Sequence, residues 1–185
     1  MYLFLTFVIC LFVIIILFSF PQFSPIPYFP SNGKDISLIL NALNIRSNQT
    51  IIDLGAGDGI VIFKAAERAF QTNLNTQFIA VEINPVLLLI LHVRRLLHPN
   101  RKHIQIINAN MFTMDYSNLT NLTNSTFYIY ISPWFIEKTV TNISIQIENF
   151  DLVSYFYQVK YLPKYKEEVK EGIHKIYSYK LATAH

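Results

Sequence analysis

Apolar positions come in three arrangements along this chain. The first is unbroken: residues 1–20, "MYLFLTFVICLFVIIILFSF", contain no charge. Twenty such residues in a helix would span about 30 Å, roughly one bilayer core, so a membrane anchor is expected there. A signal peptide would want a basic start, a shorter apolar core and a small-residue cleavage site, and none is visible. The second arrangement has helical spacing. It covers 34–45, where Ile36, Ile39, Leu40 and Leu43 share a face, and also 59–70 and 84–98. Asn84 and Pro85 open the last of these as N-cap and first helical residue. The third arrangement is short and β-branched. "TIIDLG", "TQFIAVEIN" (76–84), "KHIQIINA" (102–109) and "TFYIYIS" (126–132) read as strands. Residues 150–162 and 172–180 read as a late antiparallel pair.

Strands alternating with helices predict an α/β domain with a mostly parallel sheet and one late antiparallel strand. The expected organisation is an anchor over 1–20, a proline-rich linker over 21–33 and one globular domain over 34–185. Residues 117–126, "SNLTNLTNST", read as a polar loop.

Composition changes this picture only a little. The chain has 185 residues, is 52% hydrophobic and carries a net charge of +3. That modest basic excess would suit a domain beside anionic lipid. No basic run is interleaved with aromatics, so no nucleic acid partner is expected. The single cysteine, Cys10, excludes an internal disulfide framework. The histidines show no metal-binding spacing, and no metal is expected.

The sharpest chemistry lies in "IIDLGAGDGI" (51–60). Gly55, Gly57 and Gly59 give G-x-G-x-G, which lets a ligand touch backbone and the next helix pack closely. Amides at that helix start favour an anionic group. A dinucleotide site would want G-x-G-x-x-G, and Ile60 stands where its last glycine belongs. Asp53 and Asp58 would also repel a pyrophosphate. They suit a ligand with a cationic centre and an amino group, as in S-adenosyl-L-methionine. A ribose needs a carboxylate at the end of the next strand, about twenty residues on, and Glu82 is there, followed by Ile83. Asn110, just after the third strand, is the candidate for the adenine. The expected cofactor contacts are therefore Asp53, Gly55, Ala56, Gly57, Gly59, Glu82, Ile83 and Asn110. A dinucleotide site and a relic, non-catalytic loop remain the alternatives.

"DLGAGDG" followed by "VEIN" resembles motifs I and II of the class I S-adenosylmethionine-dependent methyltransferases. With "PYFPS" ahead of the first helix and "AVEINPVLLLILHVRRLL" after it, the chain is similar to a small subfamily. Its members are membrane-anchored protein lysine methyltransferases acting on ATP synthase c-subunit or the adenine nucleotide translocase, with prokaryotic relatives. The resemblance covers roughly residues 27–162. It implies a Rossmann-like class I methyltransferase sheet behind an N-terminal transmembrane helix. It also implies S-adenosyl-L-methionine as cofactor and a lysine of a membrane protein as acceptor. The implied location is single-pass in a membrane through residues 1–20, with the domain on the cytosolic or mitochondrial matrix side. Ile60 departs from the subfamily, which usually has arginine there.

In that architecture the acceptor approaches over the end of the fourth strand. The amino-methyltransferase signature [DN]-P-P-[YF] is absent. Ser132, Pro133 and Trp134 stand in its place and are the candidate acceptor-pocket residues. No catalytic base is assigned; Asp115 and Glu137 are the nearest acids in sequence and read as surface charges. A small-molecule, lipid or nucleic acid acceptor is the alternative.

Overall fold

A computed structural model of the chain describes residues 2–19, 28–117, 119, 124–160, 162 and 165–181. Most of the linker (21–27), part of the polar loop (118 and 120–123) and residues 182–185 lie outside the described residues.

The glycine-loop region folds as its pattern predicts. Strand β1 (Thr50–Leu54) leads into helix α3 (Ile60–Gln71), and β2 (Gln77–Glu82) into α4 (Pro85–Leu97). Asn84 caps α4 through its side chain, accepting from the amides of Val86 at 2.9 Å and Leu87 at 3.3 Å, with Pro85 in the first turn. Strand β3 (Ile104–Asn108) and strand β4 (Ser125–Ile129) follow. Helix α2 (Ile36–Leu43) precedes β1 and ends at Asn44, whose φ of +47° is the left-handed conformation common after a helix.

Two elements depart from the expected pattern. Helix α5 (Pro133–Gln146) fills a stretch with no predicted helix. Its Ile136, Val140 and Ile143 are buried at helical spacing. The late region holds three strands: β5 (Asp151–Tyr155), β6 (Tyr165–Glu171) and β7 (Lys175–Leu181). Strand β5 stops well short of residue 162 because Phe156 turns the chain at φ +74°.

All seven strands form one sheet in the order β3-β2-β1-β4-β5-β7-β6. Strands β1 to β5 pair in parallel, and β7 is antiparallel to both its neighbours, β5 and β6. The single reversed strand is therefore β7. Alternate side chains divide the core between the two faces. Ile51, Phe78, Ala80 and Tyr128 pack with α2, α3 and Leu91 of α4. Ile52, Ile79, Val81 and Phe127 pack with α5 and with Met111, Phe112 and Tyr116. The strand order reverses between β1 and β4, and in open α/β sheets a ligand crevice forms outside the carboxyl ends at such a point.

The expected transmembrane helix is not borne out, and with it the anchor to a lipid bilayer through residues 1–20. Helix α1 (Tyr2–Ser19) has 18 residues, about 27 Å at 1.5 Å per residue, short of the roughly 30 Å hydrocarbon core. Among the described residues no helix is long and apolar enough to cross a membrane. Helix α1 touches α4 and is exposed from Tyr2 to Ile16.

Candidate functional site

The carboxyl end of β1 opens into the glycine loop, and all three glycines need the left-handed region. Their φ values are +73° at Gly55, +59° at Gly57 and +78° at Gly59. Space dictates glycine as well at two of them. A Cβ on Gly59 would meet Leu91 at 2.5 Å and Phe63 at 2.7 Å, so this glycine lets α3 and α4 pack against the loop. A Cβ on Gly57 would meet the Tyr28 ring at 2.6 Å, so Tyr28 lies directly on the loop.

The loop is tied to β2. Gly55 and Ala56 donate their amides to the Val81 carbonyl at 2.9 and 3.0 Å. Gly57 donates to Glu82 Oε2 at 2.8 Å, and Ile83 and Asn84 donate to Glu82 Oε1 at 2.8 and 2.9 Å. Each of these amides takes up one of the roughly four lone-pair sites of the carboxylate. Glu82 thus joins the glycine loop to the backbone just after β2, and a ribose hydroxyl would share its oxygens with these amides.

The loop's cation comes from α4 rather than from position 60. Arg94 donates to the Asp58 carbonyl at 2.6 Å and to Asp58 Oδ2 at 2.8 Å, with its guanidinium over the Phe63 ring. Asp58 Oδ1 in turn accepts from the Ile60 amide at 3.2 Å.

An open cavity, about 660 Å³ with its solvent mouth included, lies beside this loop. Its floor includes Asp53, Gly55, Ala56, Gly57, Glu82 and Ile83, all expected from sequence. Asp53 and Glu82 are 3% and 8% exposed. They lie on the same sheet face as Tyr128, which pairs in register with Asp53. Burial, then the neighbouring Glu82 and Asp58 carboxylates, push the Asp53 carboxyl up to about 8. Among the described residues, no lysine or arginine ion pair reaches Asp53 or Glu82.

Other expected residues stand apart from the cavity. Gly59 packs behind the loop, against α3 and α4. Asn110 closes a local turn, accepting from the Phe112 amide at 2.9 Å, and its neighbour Met111 reaches the cavity instead. Ser132 and Pro133 begin α5, and Trp134 points outward, 85% exposed. Asp115 is bonded to Ser117, and Glu137 accepts from the Lys160 amide.

The cavity walls, which the sequence pattern does not reveal, are aromatic. Tyr28 and Phe29 come from the segment before α2, and Tyr130 comes from the end of β4. Burial, followed by the Asp58 carboxylate, pushes the Tyr28 hydroxyl up to about 12, so it remains neutral. Ser31 and Tyr128 hydroxyls meet at 2.8 Å and fix the segment to the sheet. Tyr130 rests edge-on against Tyr155 at 4.9 Å. Tyr155 donates to Asp35 Oδ2 at 2.7 Å, and Asp35 also accepts from the amides of Ile173 at 2.7 Å and His174 at 3.0 Å. Burial opposes the Asp35 charge, but the two amides and the Tyr155 hydroxyl outweigh it and hold the carboxyl below its ordinary value. The "PYFPS" stretch and the 128–130 tyrosines carried the available signal.

Comparison with known proteins agrees with this geometry. Residues 28–149 match the family described as Ribosomal RNA adenine dimethylase. The lysine N-methyltransferase of the ATP synthase c-subunit from Caenorhabditis elegans is 27% identical over 96 residues, 49% of this chain and 47% of that protein. The chain thus matches about half the length of that relative. Among solved structures, an RNA methyltransferase from Salinibacter ruber in complex with S-adenosyl-L-homocysteine superposes with a TM-score of 0.66 at 17% identity. It covers 83% of this chain and 93% of that one. TrmK of M. capricolum, also holding S-adenosyl-homocysteine, gives 0.57 at 19% identity, covering 77% and 66%. At such identities the likeness is one of fold. The crevice at the β1–β4 reversal, with its glycine loop and paired carboxylates, fits the cofactor that both of those structures hold as its demethylated product. The chain belongs to the ribosomal RNA adenine dimethylase family, and it is a methyltransferase that uses S-adenosyl-L-methionine.

Proposed function

We propose that the enzyme transfers methyl groups to the side-chain amine of lysine in a protein. In this reading Asp53, the Gly55–Gly57 backbone, Glu82 and Ile83 hold the cofactor, and Tyr130 with Tyr28 borders the path of the acceptor. Transfer is an in-line displacement. The amine lone pair forms the new bond to carbon while the carbon–sulfur pair stays on sulfur. Orienting the two partners is the main demand, in general worth several kcal/mol.

The observation that carries this reading is the end of β4. A nucleobase amine has its lone pair delocalised into the ring, and a nearby amide or carboxylate acceptor helps to localise it. Ile131, Ser132, Pro133 and Trp134 offer no such side chain, and Tyr130 provides an aromatic wall instead. An aliphatic amine needs only to shed its proton and pack its stem, which a desolvating aromatic wall favours. The similarity to the nematode lysine methyltransferase supports the same acceptor.

A nucleic acid acceptor is the second reading, favoured by the family match itself. Incubating the full chain with methyl-labelled cofactor and a whole-cell extract separates the two. Label recovered as methyl-lysine after protein hydrolysis is the expected result. Label confined to RNA would overturn the lysine reading in favour of the second.

A further inference from the structure

Asp53 lines the cavity together with two further carboxylates, Asp58 and Glu82. From β2 it faces Glu82, from β4 Tyr128, and from the loop Asp58. Tyr28 and Ser31 of the segment before α2 line the same cavity, and the start of α3 offers it the Ile62 amide. Arg94 of α4 is engaged by Asp58. Two buried carboxylates in one cavity, neither paired with a basic side chain, resist being charged together. Asp53 is the deeper of the two, and its burial and the neighbouring carboxylates favour its protonated form.

S-adenosyl-L-methionine brings a sulfonium, an ammonium and a carboxylate, one positive charge in net. Its demethylated product keeps the ammonium and carboxylate and is neutral overall. Resting on the cofactor site assigned above, we propose that Asp53 tells cofactor from spent product. It is neutral in the empty site, yields its proton to solvent when the cationic cofactor enters, and regains one from solvent once transfer leaves a neutral sulfide. Methyl transfer then removes one of the two positive charges that favoured ionised Asp53, which weakens the grip on the product and favours its release.

The test is calorimetry of the full chain with S-adenosyl-L-methionine and with S-adenosyl-L-homocysteine between pH 5.5 and 7. Below pH 7 the ligands' α-amino groups, which titrate near 7.7–8.0 in model compounds, stay charged. Repeating each titration in buffers of different ionisation enthalpy counts the protons released. The expected result is close to one proton released per cofactor bound, with affinity rising about tenfold per pH unit, and a smaller release and shallower slope with the product. Asp53→Asn, which copies the neutral state and so should fold, is expected to abolish the release and flatten the slope. Equal release with both ligands, or release unchanged in Asp53→Asn, would overturn the proposal while leaving the cofactor site intact. Failure of either ligand to bind the folded wild-type chain at any pH would overturn the site assignment as well.

Discussion

Gly57 donates its amide to the Glu82 carboxylate at 2.8 Å, so the glycine loop after β1 and the end of β2 are held as one unit. The same carboxylate is the candidate partner of the ribose. A ribose bound there would link cofactor binding to loop position through one side chain.

Glu82→Gln keeps the size of that side chain but turns one acceptor oxygen into a donor. Gly57 or the Ile83–Asn84 pair then loses its acceptor. A hydrogen bond to a charged group contributes about 1.5–3 kcal/mol. The expected outcome in calorimetry is a tenfold or greater loss of affinity for S-adenosyl-L-homocysteine, with a smaller drop in melting temperature. Unchanged affinity would remove Glu82 from the site.

The glycines should differ in what they cost. Gly59→Ala drives a Cβ into Leu91 and Phe63 in the core, and Gly57→Ala meets only the Tyr28 ring at the cavity wall. Both also cost about 1 kcal/mol for a left-handed backbone. Chemical denaturation should show the larger stability loss for Gly59→Ala. Ligand titration should show the larger relative affinity loss for Gly57→Ala. A reversed order would contradict this packing.

Asp53 should destabilise the fold as pH rises. Its folded-state value is raised to about 8, whereas an unfolded aspartate ionises near 3.9. Between those limits the unfolded chain binds fewer protons, so stability falls with increasing pH and levels off above about 8. Asp53→Asn should therefore melt higher than the wild type at pH 8, by an amount worth a few kcal/mol, and the gap should close near pH 4. A constant gap would indicate a packing effect instead.

Arg94→Lys tests the fork at Asp58. One guanidinium nitrogen reaches both the carbonyl and the carboxylate while the planar group covers Phe63, an arrangement an ammonium does not reproduce. The pair is partly exposed, so the stability cost should stay within about 1 kcal/mol. Cofactor affinity is expected to fall several-fold as the loop loosens. An affinity equal to wild type would show that the loop keeps its shape without the fork.

Much of the fold is legible from the chain because local signals and tertiary packing agree there. Asp53, the glycines, Glu82 and the Asn84–Pro85 cap are all fixed by short-range geometry, and each stands where its spacing implies. Helix α5 hides because Thr139, Val140, Thr141 and Ile143 are β-branched and favour strand on local preference. Its Ile136–Val140–Ile143 stripe is rewarded only by packing on the sheet. Strand β6, "YKEEVKE", is a charged edge strand, and its pattern is the sort that keeps an edge from pairing with other chains. The aromatic walls are hidden in the sequence because Tyr28, Tyr130 and Tyr155 are far apart along it and meet only once the sheet is complete. Trp134, attractive as a pocket residue by its neighbours, lies outside because Pro133 starts a helix that turns it to solvent.

The Asp35 contacts also bear on how the enzyme is made. Asp35 precedes β1, yet its carboxylate is satisfied by amides at Ile173 and His174, between β6 and β7. A ribosome delivers the chain from the amino end, so β1 to β4 and the glycine loop emerge long before the β6–β7 turn exists. The loop can form early, but the wall that seats Tyr130 must wait for the last hairpin. Closing so long a loop is slow, and Asp35 gains the Ile173 and His174 amides only when it happens. The wall around Tyr130 is thus expected to be completed later than the glycine loop, only once the β6–β7 hairpin has formed.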